Sequence, residues 1–227
     1  MSSVRSWVLI GALVASSEAA AFSAPAGCEG KLTIQFRNCL MTNIWTCEAD
    51  PDGEQWMALF NETGPSRLRK VDAEFQWLET HYFSPIRTER MVVPAEDPED
   101  MTELFANGYD TYDFTIRDAD GNGLRYVGYD KLTGEETVVD GEVLRNTEYA
   151  FDVMTENGII LEQMEGRQFV SEAHRIFLFG ESWQRDAPDL VRNSSPVDFI
   201  YPGEPGFFPN RPIYDCGAML SSWEVSR

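Results

Sequence analysis

The feature that most constrains this chain is the run of residues 109–183. Short apolar-rich segments alternate there with glycine and asparagine turns, about one turn every ten residues. That spacing predicts an antiparallel strand meander. Strands are expected at 112–117, 124–130, 136–139, 148–155, 159–164 and 169–180. The turns between them fall at 120–123, 133–134, 140–141, 146–147, 157–158 and Gly166. Asn157 and Gly158 lie between two apolar-rich runs, the strongest short hairpin signal in the chain. The segments on either side read as material that completes, caps or ties down this sheet.

Upstream, residues 31–37 alternate cleanly. Leu32, Ile34 and Phe36 face one way, and Thr33 and Gln35 face the other, which marks a half-buried strand. Further strands are expected at 42–48, 55–61 and 86–93. Residues 68–83 fit either period; the aromatic content near their end favours one long strand. One helix is expected within 94–108. Asp97 is placed to cap it, Pro98 suits its first position, and Met101, Leu104 and Phe105 form an apolar stripe. Asn107 and Gly108 supply the stop.

After residue 183 the character changes. Pro188, Pro196, Pro202, Pro205, Pro209 and Pro212 space out an aromatic segment. Proline cannot donate to a ladder, so no central strand is expected there. The segment reads as an extended strap lying on the sheet. The fold class these patterns imply is all-β: a mostly antiparallel meander forming a barrel or strongly curved sheet, with one short helix and a proline-rich C-terminal strap. This layout resembles that of lipocalin-like barrels, without a motif of that family.

Residues 1–21 have the form of a secretory signal peptide. Arg5 precedes a short apolar core, and Ala19 and Ala21 suit cleavage before Phe22. The expected organisation is a signal peptide at 1–21, a β domain at 22–183, and the strap at 184–227 packed on it. The destination is the periplasm or the cell exterior. No second apolar run approaches the ~20 residues of a transmembrane helix. The formal charge of −20, from 38 acidic and 18 basic residues, repels phosphate backbones and argues against nucleic acid as a partner.

Four cysteines in an exported chain favour two disulfides. Sequence proximity favours Cys39–Cys47, which leaves Cys28–Cys216 to tie the chain ends together.

Chemistry-bearing patterns are few. The two histidines share a local pattern: Glu79 precedes His81 and Glu172 precedes His174, each by two residues, in expected strands. Alternate strand residues face one side about 6.5–7 Å apart. If the two strands were neighbours, the four side chains would suit zinc or another divalent metal, or general acid–base chemistry. His81 and His174 also share their expected faces with apolar residues, the pattern of structural histidines. Asp118, Asp120 and Asn122 resemble the opening of a calcium loop, but the twelfth position is Tyr129, where such a loop needs glutamate. A polar β-turn accounts for the same residues. Three functions fit the sequence: an exported barrel-like protein binding a small apolar or amphiphilic ligand; a metal-dependent or acid–base enzyme at the two Glu-x-His pairs; or a structural protein of the envelope or cell exterior.

Overall fold

Up to the last strand, each strand of this chain bonds to the one before it, and the sheet grows strand by strand in sequence order. The computed structural model describes residues 22–217, so the expected signal peptide lies outside the described residues. The strands are β1 (Cys28–Phe36), β2 (Leu40–Cys47), β3 (Gln55–Asn61), β4 (Gly64–Val71), β5 (Trp77–Phe83), β6 (Ile86–Met91), β7 (Tyr109–Asp118), β8 (Gly123–Val139), β9 (Glu142–Thr155), β10 (Ile160–Ser171), β11 (Ile176–Gln184), β12 (Ala187–Asn193) and β13 (Pro196–Ile200). They form a single sheet in the order β12 back to β1, followed by β13.

The last pairing bends the whole sheet. β12 lies on one edge and β13 on the other, yet only Ser194 and Ser195 separate them in sequence. The Ser194 N–H donates to the Gly180 carbonyl at 2.8 Å, and the Arg37 N–H donates to the Ser195 carbonyl at 2.9 Å. The two edges therefore meet at this dipeptide. The sheet curls nearly into a barrel without a closing ladder. Leu32, Ile34 and Phe36 of β1 share one buried cluster with Val170, Ile176 and Leu178 from β10 and β11. The Phe36 and Phe179 rings lie 5.3 Å apart across that interior.

One end of the curl is capped. The helix α1 (Met101–Asn107) buries Met101 and Leu104. Its N-cap is Asp100, whose side chain accepts from the Glu103 N–H at 2.7 Å, and not the expected Asp97. The Asp97 N–H and carbonyl both bond to Asp113, which holds the approach to the helix extended and shortens it. Glu74 accepts from the Thr102 N–H and hydroxyl and from Arg175. The helix is thereby tied to the β4–β5 loop and to the β10–β11 turn.

Four expected boundaries change, each for a local reason. Residues 68–83 divide into β4 and β5, because the Asp72 carboxylate accepts from the N–H groups of Glu74 and Gln76 and folds a turn without glycine or proline. The expected strands 124–130 and 136–139 fuse into β8, where a register shift between Leu132 and Glu136 absorbs the intervening residues. The expected strand 169–180 is cut at 172–175, where Ser171 Oγ accepts from the His174 N–H at 3.2 Å. Gly166, expected in a turn, lies inside β10. A Cβ there would collide with the Glu181 carbonyl oxygen and stand 2.6 Å from the Tyr149 ring, so the glycine makes room for both.

The strap begins at residue 201, since residues 187–200 already supply β12 and β13. It lies on the outer face of β1–β3. Phe208 packs with Met41, Trp45, Ala58 and Phe60, and Phe22 and Phe207 close the cluster. A Cβ at Gly30 would meet the Phe207 and Phe208 rings at 2.9 Å, so glycine lets the strap lie flat on β1.

The disulfides correct the expected pairing. Cys28 bonds to Cys47, and Cys39 bonds to Cys216. Cys28 and Cys47 face each other in the β1–β2 ladder, at its far end from the hairpin turn. Cys39 sits in that turn and reaches the strap, whose Tyr214 carbonyl accepts from the Cys39 N–H at 2.9 Å.

Candidate functional site

The Glu-x-His pairs come to lie in different places. His81 and Glu79 are on β5, facing away from the sheet's interior. His81 Nε2 is 2.9 Å from Glu79 Oε1, and Arg90 Nη2 donates to the same oxygen at 2.7 Å. His81 Nδ1 contacts Thr88 Oγ1 at 2.9 Å, and its ring stacks on Trp56. A bulge opposite Val71 explains the orientation: it turns Trp77 inward but leaves Glu79 and His81 outward.

His174 and Glu172 occupy the β10–β11 turn, not a strand. Glu172 is exposed and pairs with Arg145 at 3.6 Å. His174 Nε2 instead faces Glu142 Oε2 at 3.4 Å and the Tyr201 hydroxyl at 3.1 Å. The Tyr201 hydroxyl donates to Glu142 at 2.5 Å, so this trio pins the start of the strap to β9. Asp118 uses both carboxylate oxygens within its own turn, accepting from the Asp120 and Asn122 N–H groups and from the Asn122 side chain. These bonds hold its pKa below the usual carboxylate range. Among the described residues, no group of three or more His, Cys, Asp or Glu side chains is placed to hold a metal ion.

The interior of the curl holds a different site. A cavity of about 500 Å³ is lined by residues from eleven strands, β1–β5 and β7–β12, together with Phe75 and Glu99 at the capped end. Its wall carries an aromatic ladder on β5, β7, β8 and β9. The Trp77 ring lies 5.7 Å from Phe114 and 5.5 Å from Tyr126, and Phe114 stacks on Tyr126 at 5.4 Å. Phe151 and Tyr149 continue the row at 6.2 and 5.9 Å. Inward residues on adjacent strands meet in register, which is how a curved sheet builds such a row.

Two charged groups interrupt the apolar wall. The first is acidic and lies at the capped end. Glu99 precedes the helix, Asp110 follows it on β7, and Asp130 stands opposite Asp110 on β8. All three are buried. Burial, then the charges of Asp130 and Asp110, push the Glu99 pKa well above its usual range. Burial likewise raises Asp110 and Asp130 to about 7. Gln168 donates to Asp130 at 2.7 Å, the Asp100 N–H donates to Asp110 at 2.9 Å, and Glu99 and Asp130 bond to each other. Glu99 Oε1 has no hydrogen-bond partner among the described residues. This end therefore carries fewer negative charges at neutral pH than its three carboxyl groups suggest.

The second group is basic. Arg67 and Arg69 occupy alternate positions of β4, and both line the cavity. Arg69 is 8% exposed. Its Nε donates to Thr80 Oγ1 at 3.1 Å, and its guanidinium lies 3.6 Å from the Trp77 ring centroid. Arg67 stands 6.0 Å from the Phe179 ring. Neither guanidinium pairs with a carboxylate among the described residues. Burial, and after it the neighbouring Arg67 charge, bring the Arg69 pKa down to about 9, which leaves it protonated at neutral pH, and burial lowers that of Arg67. The sequence did carry a signal for this pair: Arg67 and Arg69 lie at period two in a short strand. The face they share became visible only with the fold. No protein-family model, curated protein or solved structure matches the chain.

Proposed function

We propose that this protein is a container: an exported binding protein that holds a small apolar or amphiphilic molecule inside its curled sheet. The observation that carries this reading is the 500 Å³ cavity with an aromatic wall. Its size falls within the range of about 300–1,000 Å³ found for small-molecule pockets, and a few polar groups in an apolar lining are what such pockets use to orient a ligand. The capped end gives the cavity a floor. The two disulfides suit an oxidising compartment, either the periplasm or the cell exterior.

Titration with the neutral fluorophore N-phenyl-1-naphthylamine tests the reading. Saturable one-to-one binding with a Kd on the order of micromolar is expected. Leu59→Trp, which fills the cavity from β3, should abolish it. Equal binding by the filled variant, or no saturable binding to the unaltered protein, would count against the container.

A further inference from the structure

We infer that the molecule held in the cavity is an amphiphile with one oxyanion head group, the head bound between Arg67 and Arg69 and the apolar body lying toward the capped end. This rests on the container reading and names its ligand class.

The inference starts from charge pairing. In a chain with 38 acidic residues and 18 basic ones, carboxylates are plentiful partners. Among the described arginines, nine lie within 4.0 Å of a carboxylate. The four that do not are Arg67, Arg69, Arg192 and Arg211, and three of those line the cavity. A charge taken out of water without a partner is costly, and apolar residues would fill a core better. Stacking on Trp77 offsets part of that cost for Arg69. The Arg67 guanidinium makes no hydrogen bond among the described residues.

Position sets the orientation of the ligand. β4 enters from the Asn61–Gly64 hairpin and runs toward the capped end, so Arg67 and then Arg69 are met before the Glu99–Asp110–Asp130 cluster. Arg192, exposed and also lining the cavity, adds positive charge at the edge strand β12. An anionic head meets the guanidinium groups first, and the carboxyl groups beyond offer it no cationic partner. Phe75, Trp77, Phe114 and Phe177 offer apolar surface to the body of the ligand. Two arginines whose strand positions repeat about 6.5–7 Å apart on one face present two guanidinium forks, which suit an oxyanion with several acceptor lone pairs.

Calorimetric titration of the full protein with dodecanoate, dodecyl phosphate, dodecan-1-ol and inorganic phosphate provides the test. At least one of the two anionic amphiphiles should bind about ten-fold or more tightly than the alcohol. The phosphate ion alone should not compete. Arg67→Met and Arg69→Met should each erase the preference for the anion while retaining the alcohol. If either variant fails to fold, the comparison of ligands on the unaltered protein still decides. Saturable binding of amphiphiles and alcohol within about two-fold of each other would overturn the oxyanion site and leave the container standing. Inorganic phosphate competing as well as dodecanoate would overturn it by removing the role of the apolar body. Failure of all four ligands and of the neutral fluorophore would take down the container reading as well.

Discussion

The two faces of β1–β4 use the same strands for opposite ends. Outward, Met41, Trp45 and Phe60 are 0%, 3% and 2% exposed beneath the strap. Phe22 stands 5.3 Å from Phe60 and 5.6 Å from Trp45, and Phe207 stacks on Phe208 at 4.4 Å. Inward, the neighbouring positions Thr42, Leu59, Arg67 and Arg69 border unfilled space. An antiparallel sheet commonly packs one face and solvates the other. Here the outer face is packed at this end of the sheet, and the inner face retains a void and uncompensated charge. The comparison teaches that burial is shared: the outer layer under the strap adds a second packed cluster to the interior one, and the interior can then leave a void beside Arg67 and Arg69.

The largest expected effect falls on the outer layer. Replacing Cys39 and Cys216 together by serine opens a closure of 177 residues. The chain-entropy model assigns that link about 5 kcal/mol, an upper figure. Removing Cys28–Cys47, a closure of 19 residues, should cost less, about 3 kcal/mol. Urea denaturation of the two double variants checks the order, and a reversed order would break the idea that the strap carries the outer layer.

A change of opposite sign is expected inside. Arg69→Met should stabilise the ligand-free protein by on the order of 1–4 kcal/mol, because it replaces a buried unpaired charge with an apolar side chain. Thermal melts without ligand measure this. A lower melting temperature would show that the arginine is structural and would erase the contrast between the faces.

The smallest effect concerns pH. Asp110 and Asp130 titrate near 7 in the fold, against 3.8 as ordinary aspartates. The folded protein thus holds these protons more tightly than the unfolded chain. Their contribution is fully present below about pH 4 and drains away as pH rises to about 7. Melting temperature should therefore fall between pH 4 and 7, and Asp130→Asn should flatten that slope. An unchanged slope in the variant would remove the acidic cluster from the account.

Parts of this fold were legible in the sequence. The Asn157–Gly158 turn, the alternation in 31–37 and the stripe at Met101, Leu104 and Phe105 report local preferences, and strands or a helix stand at each. The candidate site was not legible in that way. Glu79 and His81 do meet, since two residues on one strand face need no long-range information. His174 meets Glu142 and Tyr201, partners distant in sequence, because a four-residue turn replaced the expected strand. The disulfide pairing failed for a related reason: proximity in sequence favoured Cys39–Cys47, whereas ladder register placed Cys28 opposite Cys47.

By itself, the sequence determined an all-β meander with a short helix and a strap, because turn chemistry and hydrophobic period act over a few residues. Tertiary structure alone decided that β12 and β13 meet across Ser194 and Ser195, that the resulting curl encloses a cavity, and that Arg67 and Arg69 line it without carboxylate partners among the described residues. Curvature adds up over thirteen strands, and the two edges close on each other only when every register between them is set. No local stretch of the chain contains that sum.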